Sequence, residues 1–473
     1  MIKELLWFPT NKCLIDGEWR FPEAKAEITL VNPSDGKFLS CIARCSKNDV
    51  GSAVSSAHES LTGSWGKKTA LERGRILIAM SKLVKKYSEK LAYIEALDVG
   101  KPLSQAKNDV VALIRYLEFY GGAADKIHGL TIPFHNDYTV YGLRERLGVT
   151  AHIIPWNYPM QIIGRSVSAS LAIGNACILK PSEEACLTAL AFGEIANEAG
   201  LPNGALNIIP GFGLEAGQSL TSNKKINHIS FTGSVKTGIL VQTSAAQNIV
   251  STTLELGGKS PQIVFDDADL ERAIPFLING GLQNSGQTCS ASSRILIQKN
   301  AYKIVVEKMR DVYKTLRVAP AIEDFELGPL ISQRQMDIIT SYLNKSADLK
   351  LSAEGSVMKN PSGGFYVSPK LFETENYMHS IAQEEIFGPI QIVIPFDDEK
   401  EAIKIANATE YGLVASVWTE NGSRQLRMAK ALKAGQVFVN NYGAGGGIEL
   451  PFGGVEKSGN GREKGFESLY GFS

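Results

Sequence analysis

The stretch GVTAHIIPWNYPM, residues 148–160, joins a short apolar run to a turn held between prolines. Further short apolar runs follow, most of them bounded by Gly, Pro or Ser and separated by segments long enough for a helix: ACILK (176–180), ALNIIP (205–210), HISF (228–231) and TTLEL (252–256). Strands that alternate with helices form parallel βαβ units. The sequence therefore predicts an α/β fold with a doubly wound parallel sheet of the nucleotide-binding type.

Helical and α/β segments flank this sheet. Periodic apolar positions predict helices across residues 47–126. A second α/β region begins near residue 257 with PQIVF (261–265), after which Asp269 is the predicted N-cap of a helix. This region continues to about residue 440, and a glycine-rich stretch follows it. Since 473 residues are too many for one compact core, we expect two or three domains.

Composition excludes several classes of protein. The 49 basic and 49 acidic side chains give a formal net charge of zero, so nothing favours nucleic acid or an anionic membrane as a partner. No apolar run is long enough to span a membrane, and the N-terminal one is too short for a signal peptide. Six cysteines are too few for a disulfide framework, and Cys41 with Cys45 lack the further ligands of a metal site. We expect a cytoplasmic protein that binds no metal.

One cysteine, Cys289, stands among small polar residues in NSGQTCSASSR (284–294). This setting indicates a candidate nucleophile, which attacks as a thiolate and needs a base or a positive field nearby. Glu255, in the apolar run TTLEL, is the candidate base, and the alternative is a strand-end glutamate that faces solvent. Asn157, in PWNYPM, is a candidate donor to an oxyanion, and the alternative is an ordinary Asn/Pro turn.

Two glycine motifs are close to nucleotide-binding loops without matching them. GFGLEAG (211–217) has the spacing G-x-G-x-x-x-G, one residue longer than the dinucleotide fingerprint. ELGGKS (255–260) ends like a phosphate loop, but Thr253 stands where that loop needs its first glycine. Neither motif by itself therefore indicates a cofactor.

Seven segments, in this order, resemble the aldehyde dehydrogenase superfamily: PWNYPM, LKPSEEA, FTGSVKTG, LELGGKSP, NSGQTCSASSR, QEEIFGPI and PFGGVEKSGNGRE. The resemblance runs from about residue 12 to the end of the chain. It implies an aldehyde dehydrogenase-like fold with a Rossmann-type NAD-binding domain (1–134 and 149–256) and an α/β catalytic domain (257–440). It also implies a small β oligomerisation arm (135–148), a homodimer or homotetramer, and a return segment (441–473) that lines the substrate tunnel.

The resemblance implies NAD-dependent oxidation of an aldehyde to a carboxylic acid. Cys289 matches the nucleophile, which forms a thiohemiacetal and, after hydride transfer to the nicotinamide, a thioester. Asn157 and the backbone N–H of Cys289 match the oxyanion hole, and Glu255 matches the base that activates the hydrolytic water. We expect Gly286 and Ser290 to leave room for nicotinamide and aldehyde beside the sulfur.

The implied cofactor is NAD, with NADP possible. Lys180 and Glu183 match the pair that holds the adenosine ribose, and a carboxylate there favours NAD because it repels a 2′-phosphate. The helix N-terminus after FTGS (231–234) is expected to bind the pyrophosphate. The implied cofactor contacts are Ile153, Ile154, Pro155, Trp156, Asn157, Lys180, Ser182, Glu183, Gly213, Gly217, Phe231, Thr232, Gly233, Ser234, Leu256, Glu385 and Phe387.

Two substitutions distinguish this chain from the family pattern. Arg165 stands where many members have Trp, and arginine there is typical of the branch that oxidises succinic semialdehyde. The alternative is that Arg165 pairs with a protein acid away from the substrate. Ser166 stands where the family commonly has a lysine linked to a glutamate, here Glu463, so we do not expect that proton relay. The implied substrate contacts are Tyr158, Arg165, Thr288, Ser290, Gly446 and Phe452.

Three successive glycines, 445–447, remove side chains from a loop that usually supplies aromatic walls to the tunnel. Two interpretations are compatible with these glycines. The substrate tunnel has a wide mouth, or the loop is flexible and its backbone closes the tunnel. The wide mouth predicts a medium to large or aromatic aldehyde as substrate. The alternatives are a carboxylate-bearing semialdehyde held by Arg165 and a thiol esterase activity at Cys289.

Overall fold

A computed structural model describes residues 2–358, 363–443 and 447–473. The first sheet has eight strands, in the order Glu18–Arg20, Cys13–Ile15, Leu206–Ile208, Ala176–Lys180, Val149–Ile153, His228–Thr232, Ser251–Glu255 and Gly459–Asn460. The central five strands of this order run parallel. Because nearly all their side chains are buried, these strands stand out in the sequence as continuous apolar runs.

The strand order of the first sheet reverses between Val149–Ile153 and His228–Thr232. The chain adds its next two strands on one side of Val149–Ile153 and its last two parallel strands on the other side. In doubly wound sheets, such a switch point opens a crevice at the carboxyl ends of the strands, where ligands bind. Residues 154–157 and 233–234 follow the two strands directly and therefore flank this crevice.

The second sheet has seven strands, in the order Lys350–Glu354, Lys370–Glu373, Ile390–Phe396, Arg294–Gln298, Pro261–Val264, Val414–Trp418 and Gln436–Val439. All neighbours pair in parallel except the edge strand Lys350–Glu354. Residues 256–260 join the last parallel strand of the first sheet to Pro261–Val264. The carboxyl end of the first sheet therefore meets the amino end of the second.

Helices pack around both sheets. The α-helices are Ile2–Leu5, Lys47–Thr62, Ala70–Lys86, Ser88–Val99, Leu103–Ala123, Pro159–Ile162, Ser168–Ile173, Leu187–Glu198, Gln218–Thr221, Val235–Ala246, Leu270–Leu282, Lys299–Tyr313, Gln333–Asn344, Ser380–Gln383, Glu399–Ala406, Gly422–Ala431 and Gly465–Gly471. The helices between residues 47 and 123 confirm the helical prediction. Asp269 caps Leu270–Leu282 as predicted, since its carboxylate accepts from the N–H of Arg272. In the described part of the chain, no helix is both long and apolar enough to cross a membrane.

Four two-stranded ribbons complete the strands of the described residues: Glu27–Val31 with Phe38–Ala43, Leu130–Ile132 with Val140–Gly142, Arg317–Val318 with Ser356–Val357, and Tyr411–Gly412 with Val455–Glu456. The second of these, which we call the arm ribbon, begins five residues before the arm predicted at 135–148. Leu130, Phe134, Tyr138 and Tyr141 are each about two thirds exposed on it. The domain boundaries at 134, 148, 256 and 440 stay a prediction.

Two histidines are buried in the first sheet. His152 is fully buried and His228 is 3% exposed, and the ring of Phe472 packs against both. The His152 Nε2 lies 2.9 Å from Thr150 Oγ1, and the His228 Nδ1 lies 2.8 Å from Ser251 Oγ. Burial lowers the pKa of His152 to about 3 and the pKa of His228 to about 4. Both rings are therefore neutral in the folded chain at neutral pH.

We expect acid to destabilise the fold through these two rings. Their pKa values in the folded chain lie below the usual value of about 6.5, so the unfolded state binds protons that the folded state excludes. The stabilisation is complete above about pH 6.5 and is lost as the pH falls toward 4. Urea unfolding near pH 8 and near pH 5 measures the effect as a difference between variants, because buried carboxyls such as Glu385, whose pKa burial raises to about 7, act in the opposite direction in all of them. On going from pH 8 to pH 5, His228→Gln should retain more of its free energy of unfolding than the wild type, whereas His58→Gln, at a more exposed histidine, should match the wild type. An equal change in His228→Gln and the wild type would contradict this assignment.

Candidate active site

The residues that precede Cys289 adopt a rare backbone conformation. Asn284, Ser285 and Gly286 all lie in the left-handed region, with φ of 48°, 56° and 74°. A residue other than glycine costs roughly 1–2 kcal/mol there. Such strain persists only where the surrounding structure holds it, and it clusters at functional sites. The fold therefore forces this loop into its conformation.

Contacts from distant segments hold the strained loop. The N–H of Asn284 donates to Oε1 of Gln105 at 2.9 Å, and Ser285 Oγ donates to the carbonyl of Gly328 at 2.7 Å. One of these partners lies on the helix Leu103–Ala123 and the other lies in a later loop. The position of Cys289 is therefore set by tertiary contacts rather than by its neighbours in sequence.

Gly286 allows two backbone segments to pack closely and does not open a path for ligands to the sulfur. A Cβ at this position would lie 2.0 Å from the carbonyl oxygen of Gly388, and the positive φ also disfavours a side chain. The expectation that Gly286 makes room for nicotinamide and aldehyde is wrong, because the space it leaves is filled by backbone.

Cys289 lines a cavity of about 480 Å³. The cavity brings Cys289 together with Glu255 and Asn157, although the three are far apart in sequence. The predicted site residues that line it are Pro155, Trp156, Asn157, Tyr158, Arg165, Thr232, Gly233, Ser234, Glu255, Thr288, Cys289, Ser290, Glu385, Phe387 and Phe452. The predicted residues outside its lining are Ile153, Ile154, Lys180, Ser182, Glu183, Gly213, Gly217, Phe231 and Leu256. Gly446 lies outside the described residues.

The resting thiol of Cys289 is protonated. Burial raises its pKa to about 11, and the charge of Arg165 acts in the opposite direction. Asn157 donates from Nδ2 to the carbonyl of Gln287 at 3.0 Å, which fixes the amide beside the cysteine loop. Because the amide nitrogen carries two hydrogens, one remains to donate to an oxygen bound in the cavity.

Glu255 is buried at the end of its strand, with 1% of its surface exposed. Neither carboxylate oxygen has a hydrogen-bond partner among the residues that the structure describes. Burial raises the pKa of this carboxyl well above its usual range, and Arg165 partly offsets the effect. The alternative of a glutamate that faces solvent is wrong. A buried carboxyl without a hydrogen bond is costly, which indicates a functional group.

Arg165 faces the cavity and also pairs with a protein acid. It lies in the π-helical turn Ile163–Val167, and its Nε contacts Oε2 of Glu463 in a buried ion pair. Its Nη2 donates to Thr232 Oγ1 at 3.2 Å. Ser230 donates to the other oxygen of Glu463 at 2.7 Å, so both carboxylate oxygens are occupied. Both readings of Arg165 are thus partly right: it lines the cavity, yet its charge already has a partner.

Ser166 hydrogen bonds away from Glu463. Its hydroxyl donates to the carbonyl of Ile162 at 2.8 Å, within its own helical segment. The neighbouring Arg165 forms the ion pair with Glu463 instead. The glutamate therefore pairs with a cation that cannot exchange protons near neutral pH.

The helix Leu103–Ala123 supplies a polar wall that sequence reasoning missed. Gln105, Asn108, Asp109 and Ala112 line the cavity from this helix. Their spacing of i, i+3, i+4 and i+7 is the signal of one helical face, but a polar face of this kind usually faces solvent. Other lining residues that were missed are Gln161, Ile162, Gly257, Gln283, Arg334, Gln335, Ile338, Ile386 and Lys464.

A buried lysine anchors this wall. Lys101 is fully buried and pairs with Asp109 and with Glu95, the latter at 3.2 Å. Its Nζ also lies 4.0 Å from the centroid of the Tyr158 ring. Gln161 Nε2 donates to Asp109 at 2.6 Å. The carboxylate of Asp109 is therefore held by Lys101 and Gln161.

Several predicted cofactor residues follow the carboxyl ends of parallel strands in the first sheet. Lys180 Nζ lies 3.1 Å from Oε2 of Glu183, whose side chain is 32% exposed and can meet a ligand. Gly213 and Gly217 bound a π-helical turn, and a Cβ at either would meet no atom within 4 Å. Ser234 caps the helix Val235–Ala246, which begins at the crevice. Behind them, Ile153, Ile154, Phe231 and Leu256 belong to the buried core.

Glu385 and Phe387 lie where the cavity meets the junction of the sheets. Glu385 Oε1 accepts from the N–H of Gly258 at 3.0 Å, and burial raises its pKa to about 7. Gly257 must lack a side chain, because a Cβ would lie 2.2 Å from Glu385 Oε2. Phe387 has a φ of 58°, and its ring packs edge-on against Trp156 with centroids 5.4 Å apart. The fold thus holds this second segment under strain as well.

Comparison with known proteins agrees with this geometry. Residues 19–473 match the aldehyde dehydrogenase family. The chain is 39% identical to an aldehyde dehydrogenase of Emericella nidulans over 448 residues, which cover 94% of this chain and 90% of the relative. It is 38% identical to retinal dehydrogenase 2 of Mus musculus over 472 residues, with 98% and 90% covered.

Solved structures share the fold over nearly the whole chain. A crystal structure from Burkholderia cenocepacia is 53% identical, with a TM-score of 0.96 and 98% of each chain covered. The NAD⁺ complex of an aldehyde dehydrogenase from Bacillus cereus is 35% identical, with a TM-score of 0.95 and with 98% of this chain and 95% of that chain covered. These similarities confirm the predicted fold class and the resemblance seen in the seven segments. The chain belongs to the aldehyde dehydrogenase family, whose members are oxidoreductases that act on aldehydes.

Proposed function

We propose that this chain oxidises an aldehyde to a carboxylic acid with NAD, through a covalent intermediate on Cys289. The observation that carries the proposal is the single cavity lined by Cys289, Asn157 and Glu255. A thiol can attack a carbonyl carbon, an amide N–H can stabilise the resulting oxyanion, and a carboxylate can activate water. These three groups can therefore form the acyl-enzyme and hydrolyse it.

The residues at the crevice fit a dinucleotide. The open space over Gly213 and Gly217, with the amino end of the helix Val235–Ala246, provides an edge suited to the pyrophosphate. Glu183, paired with Lys180, can accept hydrogen bonds from the two hydroxyls of a ribose. Glu385 and Phe387 would hold the nicotinamide ribose and ring. When bound, the nicotinamide supplies a hydride acceptor.

The first steps use Cys289 and Asn157. The sulfur of Cys289 attacks the carbonyl carbon and forms a C–S bond, which gives a thiohemiacetal. The negative charge that develops on oxygen is stabilised by Nδ2 of Asn157 and by the backbone N–H of Cys289. Departure of a hydride from the same carbon leaves a thioester on the sulfur.

Glu255 completes the cycle. Its carboxylate takes a proton from a water molecule, which attacks the thioester, and the carboxylic acid leaves as the C–S bond breaks. The departing sulfur regains a proton and restores the thiol. Because burial raises the pKa of Glu255, its carboxylate is a stronger base than that of an exposed glutamate.

We expect Cys289→Ala to abolish NADH formation and Glu255→Gln to stop the cycle at the thioester. Glutamine has the size of glutamate but cannot take a proton from water. Stopped-flow absorbance should therefore show a burst of about one NADH per active site in Glu255→Gln, followed by slow turnover. Cys289→Ala should show no burst, and Cys41→Ala, outside the cavity, should behave as the wild type. Aldehyde oxidation that persists in Cys289→Ala would refute the covalent mechanism.

We propose NAD rather than NADP as the preferred cofactor, because the Glu183 carboxylate would repel a 2′-phosphate. The ratio of the kcat/KM values for NAD and NADP should favour NAD in the wild type. Glu183→Gln removes the charge and should shift that ratio toward NADP, whereas Glu271→Gln, on an exposed side chain elsewhere, should not. A wild-type preference of about tenfold for NADP, or about 1.4 kcal/mol, would contradict the role of Glu183.

We propose a medium to large aldehyde, aromatic ones included, as the substrate class. Two of the predicted substrate contacts that line the cavity, Tyr158 and Phe452, are aromatic and give the aldehyde an apolar wall. The wide mouth expected from the glycines at 445–447 stays a prediction, because 445 and 446 lie outside the described residues. A carboxylate-bearing semialdehyde has less support, since the guanidinium of Arg165 already pairs with Glu463.

A panel of aldehydes tests this substrate class. Benzaldehyde and a medium-chain aliphatic aldehyde should have higher kcat/KM values than acetaldehyde, because each buried apolar Å² contributes about 25 cal/mol. Succinic semialdehyde should be oxidised less efficiently than an uncharged aldehyde of similar length. The proposal fails if acetaldehyde is the best substrate, and the semialdehyde alternative gains if the charged aldehyde is.

We also propose that copies of the chain associate as a homodimer or homotetramer. The arm ribbon exposes apolar side chains, and an isolated two-stranded ribbon is only marginally stable in water. The helix Val235–Ala246 likewise exposes Ile239 and Leu240, which are 57% and 60% accessible. Apolar surface of this extent is typical of contacts between subunits.

A further inference from the structure

Lys464 is a buried lysine in the wall of the reaction cavity. It is 2% exposed and lines the cavity with Cys289, Glu255 and Arg165. Lysine is almost never fully buried unless a charged partner or a function retains it. The mechanism proposed above uses Cys289, Asn157 and Glu255 and leaves this lysine without a role.

The backbone of Lys464 is strained. Its φ of 61° and ψ of 166° fall in a region that is essentially restricted to glycine. On one side, the backbones of Glu463 and Phe452 exchange two hydrogen bonds of 2.7 Å. On the other side, the N–H of Gly465 donates to the carbonyl of Ile448 at 2.9 Å. The fold therefore imposes this conformation, and with it the lysine's place in the cavity wall.

The charges of four groups act on Lys464. Arg165 comes from the π-helical turn, Glu255 from the end of its strand, Cys289 from the strained loop, and Glu463 precedes Lys464 in the chain. Arg165 and Glu463 form an ion pair. Lys464 lines the same cavity as Arg165, Cys289 and Glu255, so its charge shares one buried volume with theirs.

Phe452 lies beside both cations. The Arg165 Cζ and the Lys464 Nζ are 5.0 Å and 5.1 Å from the centroid of its ring. The face of an aromatic ring attracts cations, and this attraction is stronger where water is excluded. The ring helps to keep two like charges in one buried site.

Asp109, Arg334 and Glu385 also line the cavity, and the charge of Glu385 raises the pKa of Cys289. Asp109 is held by Lys101, and Arg462 donates to the carbonyls of Gly454 and Gly461. Arg165 keeps its proton throughout the physiological range, whereas an amine can release one. Burial, and after it the charge of Arg165, lowers the pKa of Lys464 to about 7.

We propose that Lys464 is a positioning residue that supplies the cation opposite the thiolate of Cys289. The proposal rests on the proposed function, in which Cys289 is the nucleophile. A proton leaves Sγ of Cys289 and is taken up by Nζ of Lys464, directly or through water. The pair then has two forms with the same number of protons, thiol with amine and thiolate with ammonium. The second form is the reactive one, because the thiolate is the nucleophile.

This exchange produces a distinctive pH dependence. Below about pH 7, Lys464 carries its own proton, and the thiolate population rises about tenfold for each pH unit. Above that pH, the amine can accept the thiol proton, so the population of the ion pair no longer depends on the titration of Lys464. Glu385, whose pKa burial raises to about 7, also acts on Cys289, but it is present in the wild type and in every variant, so the difference between their profiles reports Lys464. The reactivity of Cys289 should therefore rise up to about pH 7 and then reach a plateau, until the thiol ionises by itself at higher pH.

The test is the alkylation of Cys289 by iodoacetamide in the protein without aldehyde or cofactor, from about pH 5.5 to about pH 9.5. Trypsin releases Cys289 in the peptide 273–294 and Cys41 in the peptide 38–44, so mass spectrometry follows both thiols in one sample. The Cys41 thiol lies outside the cavity and serves as the internal reference.

Lys464→Met should be alkylated about tenfold more slowly than the wild type near pH 7, and its rate should rise without a plateau. Lys464→Arg keeps a cation that does not titrate, so it should stay reactive and should also lose the plateau. Lys314→Met, with a lysine that is 65% exposed, should match the wild type. The thermal unfolding of each variant shows whether it is folded.

Three results would overturn the proposal. The first is a Lys464→Met profile that superimposes on the wild type, and the second is a Lys464→Arg rate as low as that of Lys464→Met. The third needs no variant: a wild-type rate that rises steadily through pH 7 without a plateau. Alkylation needs neither aldehyde nor NAD, so these results stand apart from the proposed function, which fails if Cys289→Ala still oxidises aldehydes.

Discussion

A short antiparallel pairing ties the return segment to the first sheet: Leu254–Glu255 pairs with Gly459–Asn460. Gly459 can carry no side chain there, because a Cβ would lie 1.8 Å from the carbonyl oxygen of Leu254. The N–H of Leu256 extends the contact by donating to the carbonyl of Ser458 at 3.0 Å. The residues that the return segment adds to the cavity and its surroundings depend on this close approach: Phe452, Glu463 and Lys464.

The cavity gathers charges that water cannot screen. Two cations, Arg165 and Lys464, lie in or beside the same buried volume as two carboxyls, Glu255 and Glu463. Each buried ion costs several kcal/mol unless opposite charge compensates it. The low polarity that makes each charge costly also couples them strongly, so a proton gained by one group changes the affinity of the others for protons. The protonation states of these groups are therefore coupled.

Much of the fold could be predicted because its signals are local. Each central strand of the first sheet is buried on both faces and so forms a short apolar run. Cys289 could be recognised because it stands among small polar residues, and Glu255 because it is a charged residue in an apolar run. The polar wall on Leu103–Ala123 gave no such signal, since its residues have the spacing of any helical face that meets solvent.

The remaining features depend on contacts between distant segments. Nothing in the letters GREKG reveals that Lys464 is buried or that its backbone is strained, because both follow from the pairing of Gly459. The role expected for Gly286 was wrong for the same reason: the atom that decides it, the carbonyl oxygen of Gly388, lies about a hundred positions further along the chain. Arg165 could be recognised as unusual, but its pairing with Glu463 required the fold.

The left-handed turn before Cys289 stores energy in the loop whose geometry the reaction needs. The contacts that restrain it include those to the amide side chain of Gln105 and to the carbonyl of Gly328. Warming that loosens either contact lets Asn284 and Ser285 relax toward the common right-handed region and carries the sulfur away from Asn157. Heat should therefore inactivate the enzyme below its melting temperature, and cooling should bring the activity back.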